Sequence, residues 1–182
     1  MKIRTAATGL LLFASLTFAQ QDKPAPAAQD KAARPSPPAK ATCSLGDGAT
    51  ITVDYSSPRA KGRKIFGGLV PYGEVWRLGA NEATTFVVSS GVSVGGTKVP
   101  AGSYTLFAVP NADKWTLVIS KKTGEWGTKY AGPDSDLARV DMKTSTLPST
   151  MENFTITFDK TGPSCTMRAE WEKTRASVDI TQ

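Results

Sequence analysis

From Thr50 onward the apolar residues of this chain recur at every second position, and that period constrains the fold more than any other feature. Successive side chains on a strand point to opposite faces, so alternation is what an antiparallel sheet with one dry face produces. Ile51, Val53 and Tyr55 alternate with Thr52 and Asp54, and Thr84 to Val88 is a short β-branched and aromatic run. Val92 and Val94 lead into Gly95-Gly96, a two-residue hairpin signal, and Lys98-Val99 leads out of it. Tyr104, Leu106 and Ala108 oppose Thr105, Phe107 and Val109, so both faces can be covered there. After a turn at Pro110 to Asp113, Trp115, Leu117 and Ile119 share one face. Leu137 to Met142 is a weaker run, and Phe154, Ile156 and Phe158 alternate cleanly. Beyond Thr161-Gly162-Pro163 come Cys165, Met167, Ala169 and Trp171, then Ala176 to Ile180. No helical stripe interrupts the series. About nine short strands predict an all-β domain, an antiparallel two-sheet β-sandwich, with a closed β-barrel as the alternative. The pattern leaves the strand order open.

The front of the chain has a different grammar. Lys2 and Arg4 precede an apolar run from Ala6 to Phe18, and Thr17-Phe18-Ala19 ends it with small residues at the flanking positions. A positive start, a short apolar core and a small-residue exit form a secretory signal peptide, cleaved near Ala19. The run is too short for the ~20 residues that span a bilayer, so no membrane span is expected in the mature form. Gln20 to Ala41 is rich in Pro, Ala, Gln and Lys, with Pro24, Pro26, Pro35, Pro37 and Pro38, and predicts a semi-stiff tether. Residues 42–182 remain for a single domain. The expected address is the periplasm or the outside of the cell.

Charge and histidine content exclude several functions. The formal charge of +6 includes two positives of the leader and a net two of the tether, so residues 42–182 carry only +2. The positives are scattered and no groove-reading motif appears, so nucleic acid is not an expected partner. Histidine is absent altogether, which removes Ser-His-Asp and Cys-His hydrolases and almost every zinc, copper or non-haem iron site. No calcium loop is spelled out, and Asp134-Ser135-Asp136 reads as a solvated turn after Pro133. No metal and no cofactor is expected. Cys43 and Cys165, an even pair in an exported chain, predict a disulfide across 122 residues, against two separate buried thiols.

Tyr55 to Thr85 breaks the alternation. This stretch of about thirty residues combines Arg59, Lys61, Arg63 and Lys64 with Gly62, Gly67 and Gly68, then Pro71-Tyr72-Gly73, Trp76-Arg77 and Asn81-Glu82. Loops this long in a compact domain are disproportionately functional. In a ligand site, Arg63 and Arg77 would hold a carboxylate or phosphate through their forked donors. Tyr72 and Trp76 would supply stacking faces, and Asn81 and Glu82 would fix orientation. In a structural loop, Phe66, Leu69 and Trp76 would be core, with Arg77 or Arg63 paired to Glu82 or Glu74. The glycines lack the spacing of a phosphate loop.

The segments VDYSSPRAKGRKIFGGLVPYGEVWRLGANEATTF, VGGTKVPAGSYTLFAVP, DKWTLVISK and AEWEKTRASV together resemble the DUF2911 family, exported bacterial proteins of unknown function. The resemblance runs from about Ser36 to Ile180. It implies one exported all-β domain from a bacterium and supplies no catalytic residues. The cysteine pair is not part of it. Three functions follow in order: a non-catalytic envelope binding module for a small anionic ligand, a glycan or an envelope protein; a structural or assembly protein; and a carboxylate-driven hydrolase using two of Glu74, Glu82 and Glu170.

Overall fold

The computed structural model describes residues 30–127 and 129–182. The expected signal peptide, its cleavage site and the first ten residues of the expected tether lie outside the described residues. Nine strands form: β1 (Pro38–Ser44), β2 (Thr50–Ser56), β3 (Thr84–Val88), β4 (Val92–Val94), β5 (Thr97–Val99), β6 (Gly102–Pro110), β7 (Trp115–Ser120), β8 (Asp136–Thr161) and β9 (Ser164–Thr181). Two short 3-10 turns, Lys31–Ala33 and Pro133–Ser135, are the other regular elements. Among the described residues no helix is long and apolar enough to cross a membrane.

All strands pair antiparallel in one sheet of order β1-β2-β3-β6-β7-β8-β9-β4-β5. β1 and β5 are its two ends and do not pair with each other, so the sheet is not closed and the barrel alternative has no support. The sandwich expectation assumed two separate hydrogen-bonded sheets. The ladder instead continues from one half to the other through β8.

β8 makes that continuity. Its first part pairs with β7 as far as Met142, and from Lys143 it pairs with β9. Twenty-six extended residues at about 3.3 Å each would overrun a domain with a radius of gyration of about 15 Å. The strand must therefore bend, and its register with β9 shifts between Thr146 and Met151 and again before Thr155. Pro148, which cannot donate to a ladder, falls in the first of these irregular stretches. Runs that read as separate strands, Leu137–Met142 and Phe154–Phe158, are thus two ends of one strand. The two runs after Pro163 are likewise one strand, β9, whose Glu172 takes a positive φ of 54° opposite Met151. The sequence suggests breaks because side chains between these runs are mostly exposed; backbone pairing keeps them extended.

Other expectations hold. Gly95 and Gly96 take φ values of 53° and 86° and close the β4–β5 hairpin. β6 and β7 are covered on both faces: Leu106, Leu117 and Ile119 enter the main core, while Phe107 and Val118 form a smaller cluster with Ala83. The tether expectation does not hold at its end: residues 38–41 are in β1 and pair with β2.

The sheet folds over itself. The disulfide Cys43–Cys165 joins β1 to β9 with Cα atoms 6.5 Å apart. Tyr55 on β2 reaches across the core to β8, where its hydroxyl accepts from the Ile156 N–H at 3.0 Å. Burial pushes the Tyr55 phenol up, against the opposing pull of the Ile156 backbone and the Arg59 charge. In the main core Phe66, Trp76, Trp115, Phe154 and Trp171 pack edge to face, with Trp76 stacked on Trp171 at 6.0 Å between centroids.

Candidate functional site

The β2–β3 loop is tied down along its length. At its start, Ser57 Oγ donates to the Phe154 carbonyl at 2.6 Å and Phe154 N–H donates to the Pro58 carbonyl at 2.9 Å. Ala60 N–H donates to the Glu152 carbonyl, and Ile65 N–H to the Glu172 carboxylate. At its end, Trp76 and Ala108 exchange both backbone bonds at 2.8 Å, so that Trp76 continues the place of β3 along β6. Ile65, Phe66, Val70 and Leu78 are buried. The loop is therefore a packed cover, and much of it is core.

Each side chain singled out in the sequence has a definite place. Trp76 is partly buried in the aromatic cluster, its indole N–H donating to the Gly79 carbonyl at 3.1 Å. It packs as core, together with Phe66, while Leu69 is 48% exposed. Arg63 donates from Nε to the Ala60 carbonyl at 3.0 Å and from Nη2 to the Arg59 carbonyl at 2.7 Å. The buried Nε of Arg77 has no hydrogen-bond partner, and its guanidinium joins no ion pair among the described residues. Burial holds its pKa below the usual arginine value. The pairing of Arg63 or Arg77 with Glu74 or Glu82 that a purely structural loop would show is not made.

A cleft of about 280 Å³ brings Arg63, Trp76 and Arg77 together, with Leu69, Ser36 and Trp171 among its other walls. Tyr72, Asn81 and Glu82 are outside these walls. Tyr72 is exposed nearby. Asn81 and Glu82 clasp the segment that precedes β1. Arg34 Nη1 donates to both Glu82 oxygens at 3.0 and 3.1 Å, Lys31 Nζ lies 3.2 Å from Oε1, and Asn81 Nδ2 donates to the Ser36 carbonyl at 2.9 Å. Partial burial pushes the Glu82 carboxyl up, but its own backbone N–H and the bonds from Arg34 and Lys31 outweigh that and hold it low. The clasp sets Ser36 against the cleft.

Ser36, Arg59 and Trp171 are neighbours of the site that the sequence reading did not select. Arg59 was visible in the basic run, but Trp171 carries only a strand signal and Ser36 lies in a Pro-rich stretch. Nothing local marks either. The carboxylates considered for hydrolysis do not converge: Glu74 lines the depression beside Arg77, Glu82 lines another against Arg34, and Glu170 is buried against Arg175. Among the described residues no group of three or more cysteines or carboxylates gathers that could hold a metal ion.

An all-β domain with a disulfide and a cationic cleft under one long loop is the class that fold and site define. Residues 36–180 match the family described as protein of unknown function (DUF2911). The chain belongs to that family. Neither the comparison with curated proteins nor that with solved structures returned a match.

Proposed function

We propose that this protein is an exported, non-catalytic binding module whose cleft takes a small ligand carrying a carboxylate or phosphate group. Arg77 carries the reading. A half-buried guanidinium with an unpaired buried Nε is costly to leave unmade, and an incoming anion would satisfy it with a charge-assisted bond. Arg63, held by two backbone carbonyls in the wall of the same cleft, adds a second fixed cation. Leu69 and the aromatic floor give the ligand an apolar side. Export to the envelope rests on the leader up to Ala19, followed by the tether. The fold of the sheet across the Cys43–Cys165 bridge supports viewing its halves as the layers of a sandwich.

The test is a thermal-shift series on the mature protein with acetate, succinate, galacturonate and phosphate, with glucose as the neutral control. A ligand at 100 times its Kd stabilises the folded state by about 2.7 kcal/mol. At least one anion is expected to raise Tm in the wild type and not in Arg77→Gln. Equal shifts in both proteins, or none with any anion at millimolar concentration, would overturn the assignment.

A further inference from the structure

Seven arginines lie within the described residues, and four of them meet a carboxylate: Arg34 with Glu82, Arg139 with Asp136, Arg168 with Asp159 and Arg175 with Glu170. The three without one are Arg59, Arg63 and Arg77, and all three belong to the β2–β3 loop. Arg59 is fixed like Arg63, by neutral acceptors: its Nη1 donates to the Ser57 carbonyl and hydroxyl, each at 2.7 Å. Both guanidinium groups are thus oriented while their charge remains uncompensated by a paired anion.

Between them the chain makes a tight turn. Arg63 N–H donates to the Ala60 carbonyl at 3.1 Å, and Lys61 and Gly62 take positive φ values of 50° and 69°. Glycine takes that backbone freely; lysine does so at a cost. The turn places Lys61 with Arg59 and Arg63 around a depression of about 340 Å³, whose other walls are Pro35 and Ser36. Ser36 and Arg63 line this depression and the Arg77 cleft alike, so the two adjoin. The nearest acidic groups in the hydrogen-bond network, Glu152 and Glu172, are held by the backbone N–H groups of Lys61 and Ile65 and pair with none of these cations.

We infer that the ligand is a small dianion, with one anionic group at Arg77, the other at Arg59 and Lys61, and Arg63 between them. The inference rests on reading the Arg77 cleft as an anion site. Neighbouring guanidinium and ammonium groups repel one another, and a ligand with two anionic ends relieves that repulsion at both poles where a monoanion relieves it at one. Organic diacids and diphosphorylated molecules share this chemistry.

Calorimetric titration of the mature protein at 0.15 M salt separates the possibilities. The probes are butyrate, the linear diacids from succinate to pimelate, phosphate and pyrophosphate. The variants are Arg77→Gln and Lys61→Asn, asparagine being tolerant of positive φ. At least one diacid is expected to bind about tenfold more tightly than butyrate, or pyrophosphate than phosphate, as an added charge-assisted bond provides. Lys61→Asn should reduce that advantage severalfold with little change in monoanion binding. Preference within the diacids or for pyrophosphate identifies the source of the anion. Equal affinity for probes with one and with two anionic groups, or an advantage that survives Lys61→Asn, overturns this inference and leaves the anion site standing. No binding of any probe overturns both.

Discussion

Cys43 on β1 is bonded to Cys165 on β9, 122 residues later, and the bond joins the first strand of the sheet to a strand of its other half. Hydrogen bonds place β1 and β9 six strands apart in the sheet, so they do not by themselves bring β1 to β9. The disulfide and the side chains of the core do that.

Replacing both cysteines by serine, or reducing the bridge, should therefore lower stability without changing the sheet. The loop-entropy relation gives at most about 4–5 kcal/mol for a loop of this length. Urea unfolding with and without reductant measures it, with unchanged far-ultraviolet circular dichroism below the transition. A midpoint that does not move would show that the core holds β1 to β9 unaided.

Tyr55→Phe removes the hydroxyl that accepts from the buried Ile156 N–H. An unsatisfied buried donor costs about 1–3 kcal/mol. The loss should appear in the urea midpoint at unchanged m-value, and the Ile156 amide should exchange faster with solvent. Wild-type stability in Tyr55→Phe would mean that another acceptor replaces the hydroxyl.

Glu82→Gln should loosen the segment before β1. Trypsin cleavage after Lys31 is expected to speed up severalfold, while later sites are unaffected, because cleavage tracks the open population of the segment. Unchanged cleavage would show that Asn81 and the Ser57–Pro37 backbone bond hold the segment alone. The folded pKa of Glu82 is depressed, so its contribution is present above the unfolded value of about 4.3 and is lost as pH falls through the folded value. The Tm difference between wild type and Glu82→Gln should be constant near neutral pH and vanish in acid. It should also be small, since the carboxylate is partly exposed and solvent screens the pair.

Gly95 and Gly96 make a matched comparison. Both take positive φ, where an alanine costs about 1–2 kcal/mol. A Cβ on Gly96 would meet open space, whereas one on Gly95 would strike the Val140 side chain and press on Val178. Gly95→Ala should lose a further 1–3 kcal/mol or so, read as a lower urea midpoint than Gly96→Ala. Equal losses would show that the hairpin does not pack closely on β8 and β9.

Much of the fold was legible because a period of two states which face each residue presents. Ile51, Val53, Leu117 and Met167 are all core, as their alternation required. The cysteine pair was legible through its even number in a chain expected to be exported. Lys143–Asn153 was not legible as strand, since its side chains are mostly solvated and only the ladder to β9 makes it one. In the loop, of the basic and aromatic residues grouped from the sequence, Arg63, Trp76 and Arg77 meet at one cleft. Asn81 and Glu82 were grouped with them by proximity in sequence, yet they turn to Ser36, Arg34 and Lys31, some 45 residues away.

Sequence alone settled the all-β class, the hairpin at Gly95-Gly96, the family and the absence of histidine chemistry, because each is written in composition, motif or local periodicity. Tertiary structure alone decided that β8 carries one sheet through both halves. It also decided which carboxylates four of the arginines meet, and that the three loop arginines meet none among the described residues. Ion pairing joins residues distant in the chain, and no local pattern encodes it.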